Sequence, residues 1–253
     1  MNSFFRQTVF IIFLFALWFF LAESGMVNSY LVPSPARVFE AGVEMTVNGK
    51  LQTNIMISIM RVIYGFIITA SAALPLAFIF YLFPLLYSYF RGFFAFLKSI
   101  PPLAAVPLLI LWFGIDEASK IALIFLASFF PVFLDTFNGL SQVDKKILEM
   151  GDTLDLTYFE KIYYILIPEA LPSIITGLRL GFAYCWRALI GAEMIAASSG
   201  LGYMILDAEE MARIDIVYLG IICIGVFGLV IEFTVLRLVN RVFPWMSCEG
   251  THK

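Results

Sequence analysis

Six stretches of this chain stay apolar for roughly the thickness of a bilayer, near residues 8–22, 56–82, 99–114, 119–138, 175–197 and 216–239, and they restrict its fold more than any other feature. Hydrocarbon offers no water to backbone N–H and C=O groups, so spanning segments satisfy those groups internally, as helices or as closed barrels. Runs of about 17–25 residues match a spanning helix, whereas barrel strands are shorter and alternate in polarity. The expectation is an all-α integral membrane protein with about six transmembrane helices. Composition agrees, with 61% hydrophobic and 14% charged residues over 253 positions.

The polar inventory excludes several functions. The net charge is only -3 and no basic run would track a nucleic acid. His252 is the only histidine, and Cys185, Cys223 and Cys248 lack metal-ligand spacing, so they read as packing residues. Metal and triad chemistry have nothing to work with, and the chain does not read as an enzyme. It lacks G-x-x-x-x-G-K-[ST], so it cannot cradle ATP phosphates itself.

Arg6 followed by the apolar run Thr8–Ala22 imitates a signal peptide. Cleavage after Ala22 would place bulky Phe20 where a small side chain is needed, so a retained anchor helix over 8–22 is expected. Lys and Arg collect in short cytoplasmic loops. With the N terminus cytoplasmic, the inner set is Arg6, Arg91, Lys98, Lys145, Lys146, Lys161, Arg179, Arg237, Arg241 and Lys253, against Arg37, Lys50, Lys120 and Arg213 outside. Both termini are therefore expected in the cytoplasm.

Residues 141–168 interrupt the apolar pattern with charges, tyrosines and a proline. Ser141 followed by Asp144 reads as a helix start, with Val143, Ile147, Met150 and Leu154 at helical spacing. Thr157-Tyr158-Phe159-Glu160 is a T-x-x-E capping box, which starts a second helix near 158. Pro168 is expected to end or kink it. The product is a cytoplasmic helix-turn-helix elbow with its turn at Asp155-Leu156 and with Leu156, Tyr158 and Phe159 near its tip. Exposed aromatics of this kind either dock on a partner or lie at the membrane surface with the tyrosines at headgroups.

The stretch "LEMGDTLDLTYFEKIYYILIPEALP" resembles the EAA loop of bacterial ABC importer permeases, E-A-A-x3-G-x9-I-x-L-P. Glu149 takes the Glu position, Ile165 the Ile, and Ile167-Pro168 the final pair. "PSPARVF", "SIPPLAAVPLLILWFGIDEASKIALI", "FFPVFLDTFNGL" and "SGLGYMI" resemble the nitrate/sulfonate/taurine branch, so the resemblance covers nearly the whole chain. Met150 and Gly151 replace the two alanines, and Asp155 replaces the loop glycine. If that glycine serves a positive φ, Asp is among the few side chains that tolerate it.

The resemblance implies a single transmembrane domain over 1–253, with its core at about 56–240. It implies that Glu149, Gly151, Asp155, Leu156, Thr157, Tyr158, Phe159, Glu160 and Pro168 belong to a coupling contact with a separate ATPase, which binds ATP and Mg. It further implies two permease copies in the inner membrane and a periplasmic or lipid-anchored solute-binding protein. The solute would be a small anion such as a sulfonate, taurine or nitrate. A thiamine-precursor pyrimidine or another non-anionic solute, or an ATP-independent secondary transporter, stands as the alternative.

Ionisable residues inside spans are costly and mark pathways or interhelical pairs. Arg187, about ten residues into the fifth run, either meets an anionic solute or pairs with a neighbouring carboxylate. Glu193 is structural or gate-lining, and the turn "ASSGLG", with Ser198 and Ser199, is a simple turn or a close-packed gate. Arg187, Glu193, Ser198 and Ser199 are the pathway candidates. Arg61 is expected to snorkel, Pro101-Pro102 to mark a kinked helix entry, and Asp135 to cap or to form a salt bridge.

Overall fold

A computed structural model describes residues 3–24, 28 and 30–242, and among these every regular element is helical. His252, Cys248 and Lys253 lie outside the described residues. The elements are α1 (Ser3–Glu23), α2 (Pro35–Val47), α3 (Lys50–Leu82), α4 (Pro84–Ser99), α5 (Val106–Phe113), α6 (Glu117–Ser141), α7 (Lys145–Thr153), α8 (Tyr158–Lys161), α9 (Ile167–Ala196), α10 (Leu201–Glu210) and α11 (Ile214–Val242). Among the described residues four segments are long and apolar enough to cross a membrane: Lys50–Leu82, Glu117–Ser141, Tyr158–Ala196 and Ile214–Arg237. The apolar part of α1, Thr8–Glu23, is shorter.

The run at 99–114 does not form a straight span. Pro101 and Pro102 lack donor N–H groups and push Ile100 into extended backbone, at φ -80 and ψ 119. The chain breaks there, leaving α4 and the Pro102–Phe113 segment at 87° to each other. These two count at most as one broken span, which gives up to five long spans in place of the six runs.

The described residues group into two compact units, those up to Ser58 with Glu193–Val226, and Ile59–Ala192 with those from Phe227 onward. In the first, Ser34 caps α2 through the Arg37 N–H and Pro35 occupies the first turn, where its missing donor costs nothing. Val38, Ala41 and Met45 recur at helical spacing and are the buried face of α2. Trp18 donates to the Pro33 carbonyl at 3.2 Å and stacks on Tyr218 with ring centroids 5.9 Å apart. Arg213 bridges Glu44 and Asp215, each at 2.9 Å. Those carboxylates raise its pKa further, so the guanidinium stays charged.

In the second unit α6 and α9 meet along a seam of small residues. A Cβ on Gly177 would stand 2.8 Å from the Asp135 Cβ and 3.2 and 3.3 Å from the Pro131 and Val132 carbonyl oxygens. Gly181 faces Val132 and the Ser128 carbonyl, and Gly139 faces Ser173 in the same manner. Ser173, Gly177 and Gly181 recur every four residues, the small-xxx-small pattern that lets backbones close in where no hydrophobic effect drives association. Beside the seam, Phe80, Phe129, Phe130 and Phe133 surround Ala73 and Ala77 in the core.

Arg61 does not snorkel. It is 6% exposed and grips Glu117 with two bonds, Nε at 2.7 Å and Nη2 at 2.6 Å. Glu117 also receives the buried Lys120 ammonium at 3.4 Å. A bidentate partner on the first turn of α6 makes burial of the cation affordable, and the apolar pattern around Arg61 gives no hint of it.

Candidate functional site

The elbow forms as a helix, a turn and a second helix, with corrected details. Ser141 is the last residue of α6, and its hydroxyl donates to the Phe137 carbonyl at 2.7 Å. Asp144 is the cap of α7, accepting the Lys146 N–H at 2.9 Å. Asp155 sits at φ +52, the left-handed region where the family's glycine would be free of strain. Leu156 then donates its N–H to the Gly151 carbonyl at 3.0 Å, which closes the turn.

Thr157 and Glu160 make both bonds of the capping box: the Glu160 N–H reaches the Thr157 hydroxyl, and the Thr157 N–H reaches the Glu160 carboxylate at 2.8 Å. Lys161 ties the two helices together through Asp152. Gly151 is buried where they meet, and an added Cβ would stand 2.9 Å from the Ile165 side chain. Glu149, Tyr158, Phe159 and Pro168 are exposed, Phe159 at 81%, while Leu156 is half-buried. With Met150, Leu154, Tyr163 and Tyr164, the two aromatics give the elbow an exposed apolar surface.

Pro168 does not end the helix. The N–H of Ile167 reaches back to the Ile162 carbonyl, and Ile162–Leu166 forms a π turn that carries α8 into α9. Widening the helix before a proline eases the loss of its donor and the clash of its ring.

Glu193 is wholly buried. Its carboxylate oxygens both lie 2.8 Å from the Ser58 hydroxyl, and one accepts the Gly202 N–H at 3.0 Å. Ser58 in turn accepts the Leu201 N–H at 2.9 Å, and Asn54 accepts the Gly200 N–H at 2.8 Å. Three consecutive N–H groups at the start of α10 are thereby satisfied by side chains of α3 and α9. Gly200 is required twice over: its φ is +115, and a Cβ there would stand 2.3 Å from Glu193.

"ASSGLG" is thus the helix-start turn built around Glu193, with Ser198 exposed and Ser199 half-buried. Sequence reasoning missed Ser58 and Asn54, which lie 135 and 146 positions from their partners and carry no local signal. Arg187 is exposed on α9 and forms no salt bridge among the described residues. Among the described residues no group of three or more His, Cys, Asp or Glu could hold a metal ion.

The described residues thus hold membrane-length apolar helices and a helix-turn-helix elbow directly ahead of a proline-bearing one. Residues 65–244 match the family described as "Binding-protein-dependent transport system inner membrane component", and the chain belongs to that family.

The chain is 36% identical to the putative aliphatic sulfonates transport permease protein SsuC of Bacillus subtilis (strain 168), over 93% of this chain and 86% of that one. It is 30% identical to the taurine transport system permease protein TauC of Escherichia coli (strain K12), over 92% and 86%. It is 29% identical to the nitrate import permease protein NrtB of Synechocystis sp. (strain ATCC 27184 / PCC 6803 / Kazusa), over 94% and 89%. Inward-facing structures of the MetNI methionine ABC transporter share the fold, with TM-scores of 0.58 and 0.55 at 16% and 15% identity. They cover 73% and 72% of this chain and 92% and 96% of theirs. The chain is therefore an ABC importer permease of the sulfonate/taurine/nitrate branch and not an enzyme, as its resemblance implied.

Proposed function

We propose that this permease works in the inner membrane as a single transmembrane domain, in two copies around a central pathway, importing a small sulfonate-class anion at the expense of ATP. A periplasmic or lipid-anchored binding protein delivers the solute to the outer face. Two copies of a separate ATPase bind ATP and Mg, and each receives an elbow, residues 145–166, from a cytoplasmic side that also holds both termini. Closure of the ATPases on ATP favours one arrangement of the spans over the other, and access to the pathway alternates.

The observation that carries this reading is the elbow. Phe159, Tyr158, Leu154 and Met150 are exposed on a unit stiffened by the capping box, the Lys161–Asp152 pair and the buried Gly151 contact. A rigid projection with an apolar tip suits a groove on a partner that pushes it, because a floppy one would absorb the stroke. Arg187, exposed on α9 without a salt bridge among the described residues, supports the anionic solute.

The test is cysteine crosslinking from Phe159→Cys, in a background lacking Cys185, Cys223 and Cys248, to single cysteines on the co-expressed ATPase. Crosslinks are expected, and their yield should change when ATP is added. Absence of any crosslink, with both thiols shown to be reactive, would remove the coupling role.

A further inference from the structure

A groove of about 480 Å³ lies in the first unit, walled by Phe15 and Trp18 of α1, Phe39 and Val43 of α2, and Leu219 and Ile222 of α11, with Thr46 bringing the only hydroxyl. Trp18 and Phe15 lie five and eight residues before Glu23, the end of α1, and Leu219 and Ile222 lie five and eight after Ile214, the start of α11. The Trp18–Tyr218 stack holds these two stretches at one level, and the Arg213–Glu44 pair ties the start of α11 to α2. At about 1.5 Å per residue the walls stand about 7–12 Å from the helix ends, inside one leaflet of a hydrocarbon core about 30 Å thick. Counted at about 100° per residue around α2, the charged Arg37, Glu40 and Glu44 fall on the side away from the groove. Phe39 and Val43, 73% and 48% exposed, are therefore turned from water toward hydrocarbon.

We propose that the groove is a binding site for one anionic phospholipid of the bilayer, with an acyl chain along the apolar walls and the phosphate at Lys50. The inference goes beyond the importer reading and needs only that the chain spans a membrane; in the orientation proposed above the leaflet is the outer one. Size selects the occupant. At about 30 Å³ for a group the size of water, the groove holds about 16 methylene-sized groups, one acyl chain. A helix of a second copy, about 10 Å across, would fill roughly 1,200 Å³ over the depth of one leaflet, well beyond this groove. Charge selects the headgroup. Lys50 opens α3 beside the groove-lining Leu51, is exposed, and forms no ion pair among the described residues, whereas Arg213 engages Glu44 and Asp215. A chain seated here restores the dispersion contacts that an empty groove forfeits, and it joins α1 to α2 and α11.

Trp18, half-buried in the groove wall, is a built-in reporter. The experiment places the full chain in nanodiscs, with Trp112→Phe, Trp186→Phe and Trp245→Phe so that Trp18 alone emits, and measures quenching by phospholipids brominated on their acyl chains. A reference variant that also carries Trp18→Phe and Phe20→Trp puts the reporter two residues on, about 200° around α1 and away from the groove. Trp18 should be quenched at a lower share of brominated phosphatidylglycerol than the reference, and should prefer it over brominated phosphatidylcholine by about fivefold, the size expected for one lysine at an anionic membrane surface. Lys50→Gln should erase that preference. Val43→Phe and Thr46→Phe, which fill the groove, should each bring Trp18 down to the reference, and thermal unfolding verifies that every variant is folded. Equal quenching of Trp18 and the reference, no preference between the two lipids, or quenching unmoved by both filling substitutions would overturn the proposal. Trp18 quenched less than the reference would overturn it too, and would give the groove to a second copy of the chain.

Discussion

The Ser58 hydroxyl lies 2.8 Å from both carboxylate oxygens of Glu193, 135 positions away, and also takes the Leu201 N–H at 2.9 Å. One serine therefore serves a buried carboxylate as donor and a helix start as acceptor. The first prediction concerns this junction. Ser58→Ala removes both roles and should destabilise the protein by about 1–3 kcal/mol. Gly200→Ala should cost more, since it combines a clash with Glu193 and a strained φ. Thermal unfolding in detergent decides it; a Ser58→Ala protein as stable as wild type would show the junction to be dispensable.

At the elbow turn, Asp155→Gly should be neutral or mildly stabilising, while Asp155→Val should open the turn at a cost of about 1–2 kcal/mol, because a β-branched residue resists positive φ. Amide exchange at Asp155 and Leu156 reports this directly. Identical exchange rates in the two variants would contradict the assigned conformation.

Thr136 is fully buried, and among the described residues its hydroxyl has no hydrogen-bond partner. Thr136→Val keeps the shape and discards an unsatisfied polar atom, so stability should rise by about 1 kcal/mol. A fall in unfolding temperature would reveal a partner for the hydroxyl.

The α6–α9 seam predicts a contrast between two glycines. Gly177→Val drives a side chain against the Pro131 and Val132 carbonyl oxygens, which are backbone and cannot retreat, and should cost about 1–3 kcal/mol or more. Gly225→Ala meets nothing within 4 Å and should leave stability unchanged or slightly improved. Equal unfolding temperatures for the two variants would exclude a close-packed seam.

What the sequence disclosed was local. The Thr157–Glu160 box needs only residues three apart, and helical spans follow from run length, so both are legible. Asp155 was legible through the glycine it replaces. Arg61 was misread because its partner Glu117 is 56 positions away, and a lone cation near the end of an apolar run looks the same whether it reaches for headgroups or for a carboxylate. Pro168 left an end or a kink open; the helix runs on through a π turn, and only the three-dimensional path selects between stopping a helix and reshaping it. The Ser58–Glu193 junction was invisible because α3 and α9 bring together residues 135 positions apart, a spacing that carries no period.

The π turn at Ile162–Leu166 has a geometric corollary. It holds one residue more than an α-turn would over the same rise, so everything before Ile162 is rotated by about 100° from where α9, continued backwards, would put it. The azimuth of the elbow tip is thereby set independently of which face α9 presents to α6. A family could turn its tip toward a differently shaped socket by gaining or losing this single residue, leaving the seam of Ser173, Gly177 and Gly181 in its original phase.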